Sequence, residues 1–305
     1  MDLSVRIGSL HLKNPLMSAS GCFGYGLEYS DVVDLPSLGA VVVKGLFLAE
    51  RPGHPPPRIV ETPAGMLNAI GLQGIGVHRF VAEKMPDLRR LGATVIVNIC
   101  GTTIDEYVEV AKILSDVDGV AALELNISCP NIKEGGISFG CNLVNAHQVI
   151  SAVRRATRLP LIPKLTPNVT DVASFAKAAE EAGADAVSLV NTFLAMAIDV
   201  ETRRPRLSNV MGGLSGPAIR PIAVRMVFEC ARVVNIPIIG MGGIASAADA
   251  IEFVLAGATA VQVGTANFVD PFIWPKLETG IRDYMTRHQV SRFTDLIGAV
   301  ELPRR

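Results

Sequence analysis

Eight short runs of apolar, largely β-branched residues recur along this chain, each followed by residues with helical spacing. The runs cover residues 15–20, 40–44, 94–99, 122–127, 161–165, 186–190, 236–240 and 260–264. Most are apolar on both faces, as strands of a parallel sheet covered on both sides must be. Between them, helices are expected at 104–114 after Thr102-Thr103 and at 143–157, where Val149, Ile150 and Val153 share a face. Asp171 is placed to cap a helix that runs to Ala182 and stops at Gly183. Ser246 is placed to cap one that runs to Ala256 and stops at Gly257. Strand and helix alternating in this way predict a (β/α)₈ barrel, a fold of about 250 residues. A doubly wound open sheet is the alternative. The barrel is favoured because the surplus residues follow strand ends and form no separate block. No low-complexity linker divides the chain, so residues 1–305 are read as one domain.

Mean hydropathy is +0.37, high enough that a membrane span must be considered. No apolar run approaches the roughly 18 residues a spanning helix needs. Lys44 stops the run from Ala40, and Asp249 and Glu252 interrupt 236–263. Residues 1–6 lack the layout of a signal peptide. The excess apolarity is therefore assigned to the covered sheet. The net charge of −1, with a basic cluster only at Arg203-Arg204-Pro205-Arg206, argues against nucleic acid as the main partner. The five cysteines (Cys22, Cys100, Cys129, Cys141, Cys230) include no C-x-x-C pair. That fits free thiols in the cytoplasm, with no metal or iron–sulfur site in this chain. Cys22, Cys100 and Cys230 read as small buried hydrophobes.

Three connections are long: 45–76, 128–141 and 191–217, after strands two, four and six. In a barrel the loops after strands gather on the face that carries the active site. Strand seven leads into Met241-Gly242-Gly243-Ile244 and strand eight into Gly264-Thr265-Ala266. Glycines there let backbone N–H groups approach a phosphate, and a following helix start adds a favourable dipole. Whether the phosphate belongs to a cofactor or a substrate stays open at this point. Lys44, Lys164, Asn98, Asn126 and Asn191 stand at apolar strand ends. A lysine with apolar neighbours must find an anion or a strong acceptor. Together the five would suit a planar, anionic, acceptor-rich ligand. Cys129 follows strand four and opens a glycine-containing loop, where a thiol could reach over a ligand as a proton acceptor.

These motifs resemble a known family. Asn126-Ile127-Ser128-Cys129-Pro130-Asn131, Val43-Lys44-Gly45, Asn68-Ala69-Ile70-Gly71-Leu72 and the two glycine turns are similar to class 1 dihydroorotate dehydrogenases. The stretch from Pro55-Pro56-Pro57 through Met66 resembles subclass 1B. The resemblance implies an FMN-holding barrel that oxidises (S)-dihydroorotate to orotate in pyrimidine synthesis. It implies that Cys129 removes the C5 proton while hydride passes from C6 to the flavin. Substrate-binding positions carried over are Lys44, Asn68, Ala69, Ile70, Gly71, Leu72, Asn126, Asn191 and Thr192. FMN-binding positions are Ser20, Lys44, Gly45, Asn98, Asn126, Lys164, Val190, Gly216, Gly242, Gly243, Gly264 and Thr265. Lys164 would stand at the pyrimidine edge of the flavin. After Leu72-Gln73 the chain reads Gly74-Ile75-Gly76 where the family often has Asn-Pro-Gly.

Subclass 1B implies a homodimer of this chain joined to a second subunit that carries FAD and a [2Fe-2S] cluster and passes electrons to NAD⁺, a heterotetramer overall. Other readings are a fumarate-using class 1A homodimer, a dihydropyrimidine dehydrogenase-type unit, a flavin-free phosphate-binding isomerase or aldolase using Lys44 or Lys164, and a non-catalytic scaffold subunit.

Overall fold

The structure, a computed structural model, describes residues 1–128 and 139–303. Eight parallel strands form its central sheet: Leu16–Ser18, Val41–Leu46, Val95–Ile99, Val120–Asn126, Leu161–Lys164, Val187–Leu189, Ile238–Met241 and Ala260–Val263. Strand one neighbours strand eight, and the order then runs seven, six, five, four, three, two. A parallel bridge between Met17 and Ala40 brings the two ends together. Across that seam the Ser18 N–H donates to the Ala40 carbonyl at 3.2 Å, and the Val42 N–H to the Ser18 hydroxyl oxygen at 2.9 Å. The sheet thus curls into a barrel, and the open-sheet alternative is excluded. Every expected strand occurs within a few residues of its expected place.

Helices cover the outside because their apolar faces repeat at helical spacing. In Ile104–Ser115 the buried residues are Tyr107, Val110, Ala111 and Leu114, three or four apart. Leu143–Ala156 buries Ala146, Val149, Ile150 and Val153 in the same way. Asp171 caps Val172–Glu181 by accepting the Ser174 N–H, and Ser246 caps Ala247–Leu255 by accepting the Asp249 N–H. Further helices absent from the sequence reading are Val77–Glu83, Met85–Arg90, Arg220–Ala231 and Ile273–Arg287. Pro221 is the second residue of the third and Pro275 the third residue of the fourth, both within a first turn, where proline is tolerated. No helix among the described residues is long and apolar enough to cross a membrane.

Two additions complete the barrel. An N-terminal hairpin pairs Val5–Ile7 with Leu10–Leu12. Gly8, at its turn, packs against Asp185, which precedes strand six, so the hairpin lies at the amino ends of the strands. The second addition builds structure from the long connections after strands two and six. Ile59–Thr62, Gly65–Asn68, Met211–Ser215 and Phe193–Met196 form one antiparallel four-stranded sheet. Val60, Leu67, Ala69 and Leu207 make its own small core. The basic stretch 203–206 contributes only an exposed two-residue pairing, Ile198–Asp199 with Arg204–Pro205.

Phe253 is fully buried between the Ala247–Leu255 helix and the sheet, close against Gly240 of strand seven. Phe253→Ala should cost about 3–5 kcal/mol, the usual loss when a buried aromatic leaves a cavity. Guanidinium unfolding measures it, and a loss under about 1 kcal/mol would mean that the helix layer packs on the sheet differently.

Candidate active site

The carboxyl ends of strands three to six bring polar side chains into the interior of an otherwise apolar barrel. Register pairs Asn98 with Glu124 and Asn126 with Lys164, while Ser188 also lies opposite Lys164. Lys164 is only 4% exposed. Its ammonium donates to the Ser20 hydroxyl at 3.2 Å and lies 3.8 Å from a Glu124 carboxylate oxygen. Asn98 donates to Glu124 at 2.7 Å. The Asn126 side-chain oxygen accepts the Ser128 N–H at 3.2 Å, and Tyr107 donates its hydroxyl to the Asn126 carbonyl at 2.7 Å. The structure therefore brings Ser20, Asn98, Asn126 and Lys164 together.

Lys44 and Gly45 sit where the register of strand two shifts against strand three, a local irregularity that re-aims side chains. Gly45 is required by close approach. A Cβ there would lie 2.8 Å from the Cys100 sulfur and 2.9 Å from the Asn98 side-chain oxygen. Lys44 is half-buried, and that burial holds its ammonium below the ordinary lysine range. Glu28 acts in the opposite sense and Arg58 in the same sense.

The glycine turns also converge. Gly243 has φ +81°, and a Cβ on it would lie 2.6 Å from the Gly216 carbonyl oxygen. Gly242 packs beside Val190 and Ala223. Thr265 bonds Ser215 hydroxyl to hydroxyl at 2.7 Å. Gly216, Gly242, Gly243 and Thr265 thus meet across the ends of strands six, seven and eight. Gly264 sits one step aside, against Ala19 and Cys22. The helix after strand seven begins at Ala247 with Ser246 as its cap, as expected: Ser246 accepts the Asp249 N–H, and the Asp249 carboxylate accepts the Ala245 N–H just before the helix.

The second cluster is assembled by the small sheet. Asn68 pairs with Gly213 in register, and its side-chain amide donates to the Gly213 carbonyl at 3.4 Å. Thr192 packs on the same Gly213. The Thr192 N–H donates to the Asn191 side chain at 2.8 Å. The stretch from Ala69 to Leu72 is held by backbone: Ala69 N–H to Arg58 O, and His54 N–H to Ile70 O. Gly71 and Leu72 both have positive φ, 75° and 54°. The Arg58 guanidinium braces this turn through Gln73 and the Pro52 and His54 carbonyls. The departure at Gly74-Ile75-Gly76 has a local solution. Gly74 bridges to Arg51, and Ile75 N–H donates to the Tyr25 hydroxyl at 3.1 Å.

Cys129 lies outside the described residues, with most of the 128–141 connection. Cys100 and Cys230 are buried in the core as expected, while Cys22 is half-buried. Cys100 borders Gly45 and Asn98. Burial pushes the Cys22 thiol up to about 11, while the charge of Lys164 acts the other way. Glu124, Ser188, Gln262, Ser215 and Asn168 were missed in the sequence. Glu124 alternates with apolar neighbours in Leu123-Glu124-Leu125, a signal that could have marked it as inward-facing. Asn168 carried no such signal; its side chain ties Thr166, Thr192 and Leu194 together.

Comparison with known proteins identifies the family. The family described as Dihydroorotate dehydrogenase matches residues 2–285. A Pelobacter propionicus protein named dihydroorotate dehydrogenase B (NAD(+)), catalytic subunit, is 56% identical over 300 residues, covering 98% of this chain and 99% of its own. Proteins of the same name from Geotalea daltonii and Bacteroides thetaiotaomicron are 56% and 53% identical over 301 residues, covering 99% of both chains in each pair. Over nearly its whole length, the chain belongs to the dihydroorotate dehydrogenase family.

Proposed function

We propose that this chain is the catalytic subunit of an NAD⁺-linked enzyme that oxidises (S)-dihydroorotate to orotate in pyrimidine synthesis. The observation that carries the reading is the buried Lys164, set with Asn98, Asn126 and Ser20 at the strand ends beside the joined glycine turns. This donor set fits FMN. The Gly216–Gly243 contact leaves no room for a Cβ, so backbone N–H groups there can approach a phosphate. Lys164, Asn98 and Ser20 supply donors for an acceptor-rich ring. Lys44, Gly45, Asn126, Val190, Gly242, Gly264 and Thr265 complete the FMN-holding set. When bound, FMN supplies the acceptor for the hydride that leaves C6.

The chain's own groups do the rest. Lys44 faces the substrate carboxylate as a cation. Asn68, Asn126, Asn191 and Thr192 hold the pyrimidine ring, with the backbone from Ala69 to Leu72 closing one side. Cys129 takes the C5 proton. The relatives' description as catalytic subunits supports a separate electron-transfer subunit. Our reading is that this partner carries FAD and a [2Fe-2S] cluster and joins a homodimer of this chain.

The decisive experiment is anaerobic: the FMN-loaded protein is mixed with dihydroorotate or dihydrouracil and the flavin absorbance followed. Bleaching by dihydroorotate alone is expected. Bleaching by dihydrouracil alone would favour a dihydropyrimidine dehydrogenase-type activity, and a protein that takes up no FMN would favour a flavin-free barrel.

Loss of a general base costs about 10²–10⁴-fold in rate. Cys129→Ala should lose turnover in that range at every pH. Cys129→Ser should lose as much at neutral pH and regain part at alkaline pH, where serine oxygen can take a proton. Full activity of both at neutral pH would remove Cys129 from the mechanism.

The buried position of Lys44 also predicts a pH effect. Its depressed pKa means that the ammonium is lost as pH rises, sooner than in a free lysine of about 10.4. Orotate affinity should therefore weaken on the alkaline side, with a break below the ordinary lysine range. Isothermal titration in a Cys129→Ala background isolates the effect, and Lys44→Arg should abolish the break. A break that persists in the arginine variant would assign it to another group.

A further inference from the structure

Glu124 is fully buried in the middle of strand four, inside the barrel. Four groups from four other strands address its carboxylate. Asn98 of strand three donates at 2.7 Å, Ser188 of strand six at 3.0 Å and Gln262 of strand eight at 2.6 Å. The Lys164 ammonium of strand five stands at 3.8 Å. All four are donors, the partners that carboxylate oxygens accept from. Gln262 strengthens the point. It turns its amide nitrogen to Glu124 while its own side-chain oxygen, also buried, has no hydrogen-bond partner among the described residues.

We propose that Glu124 is a positioning residue that tunes the flavin through Lys164: it fixes the ammonium from beneath and offsets part of its positive charge, so that reduction of FMN is favoured less strongly than by a lone lysine. The proposal deepens the FMN reading above and rests on it. Its physical basis is the pairing of charges in a water-poor interior. A cation beside the ring favours the reduced form. A carboxylate behind that cation weakens the field at the ring and keeps the buried ammonium stable. The consequence suits an enzyme whose electrons must travel onward to NAD⁺, because a flavin held at too high a potential would keep them. No contact between Glu124 and substrate is involved; the carboxylate acts through the lysine.

The test measures the midpoint potential of bound FMN, by equilibration with reference dyes, together with the dissociation constant of oxidised FMN from flavin fluorescence. Glu124→Gln keeps the shape and removes the charge. It should favour reduced over oxidised FMN at least tenfold more than the natural protein does, a rise of about 30 mV for a two-electron couple. Glu124→Asp keeps the charge and should stay within about threefold of the natural protein. Lys164→Met should shift the preference the opposite way. Adding Glu124→Gln to Lys164→Met should produce little further shift, since a buried carboxyl group left without its cation takes up a proton and is then as neutral as the glutamine. An unmoved potential in Glu124→Gln, or equal shifts in the Gln and Asp variants, would overturn the proposal and leave Glu124 a packing residue. If Glu124→Gln alone does not fold, Lys164→Met and the double variant carry the test, because buried charges removed together are tolerated far better than one alone. A tenfold difference between those two would also overturn the proposal. A natural protein that binds no FMN would overturn the FMN reading itself, an outcome distinct from variants that bind FMN and do not shift.

Discussion

A charged lysine in the interior of a barrel has to be compensated, and much of this molecule follows from that requirement. Breaking a buried ion pair by removing one partner typically costs about 3–5 kcal/mol. The inner layer of such a barrel is usually filled by branched apolar side chains. Here the layer that holds Lys164 is polar instead: Asn98, Ser188 and Gln262 each donate to Glu124 across the axis, and the Lys164 ammonium stands beside it. Those residues come from separate strands, so the compensation exists only once the strands stand side by side in the correct register. The ligand site proposed above this layer therefore stands on polar groups that are already paired beneath it.

The same logic of shared support applies to the outer part of the site. The connections after strands two and six could have been independent loops. They form one antiparallel sheet instead, and its own apolar cluster stabilises it apart from the barrel core. Asn68 and Thr192, 124 positions apart by number (192 − 68), meet over Gly213 as a result. Arg58 ties the turn after Asn68 to the segment before it. The substitution of Gly74-Ile75-Gly76 for a more usual triplet is absorbed at this point by the Arg51 bridge and the Tyr25 hydroxyl.

Two lysines near one ligand mouth are treated differently. Lys164 has an internal counter-charge. Lys44 is half-buried, and burial dominates the opposing influence of Glu28 on it. A cation left in that condition is stabilised further by an incoming anion, which is why we propose Lys44 as the partner of the substrate carboxylate. The difference follows from position: Lys164 is buried in the barrel beside Glu124, whereas Lys44 stands half-buried at an irregularity in its strand.

The sequence by itself determined the eight strands, the helix caps at Asp171 and Ser246, and the barrel, because strand burial and capping are local properties with short periods. It also marked Lys44, Asn98, Asn126 and Lys164, since a polar residue among apolar neighbours stands out without any knowledge of contacts. It did not reveal helices such as Ile273–Arg287, nor the small sheet, whose partners are far apart in the chain. Only the tertiary structure decided that Glu124 faces Lys164, that Gly216 touches Gly243, and that Cys22 and Cys100 border the site. Each of those is a distance between strands or loops remote in sequence, and such distances are set by barrel closure and register, which no local pattern encodes.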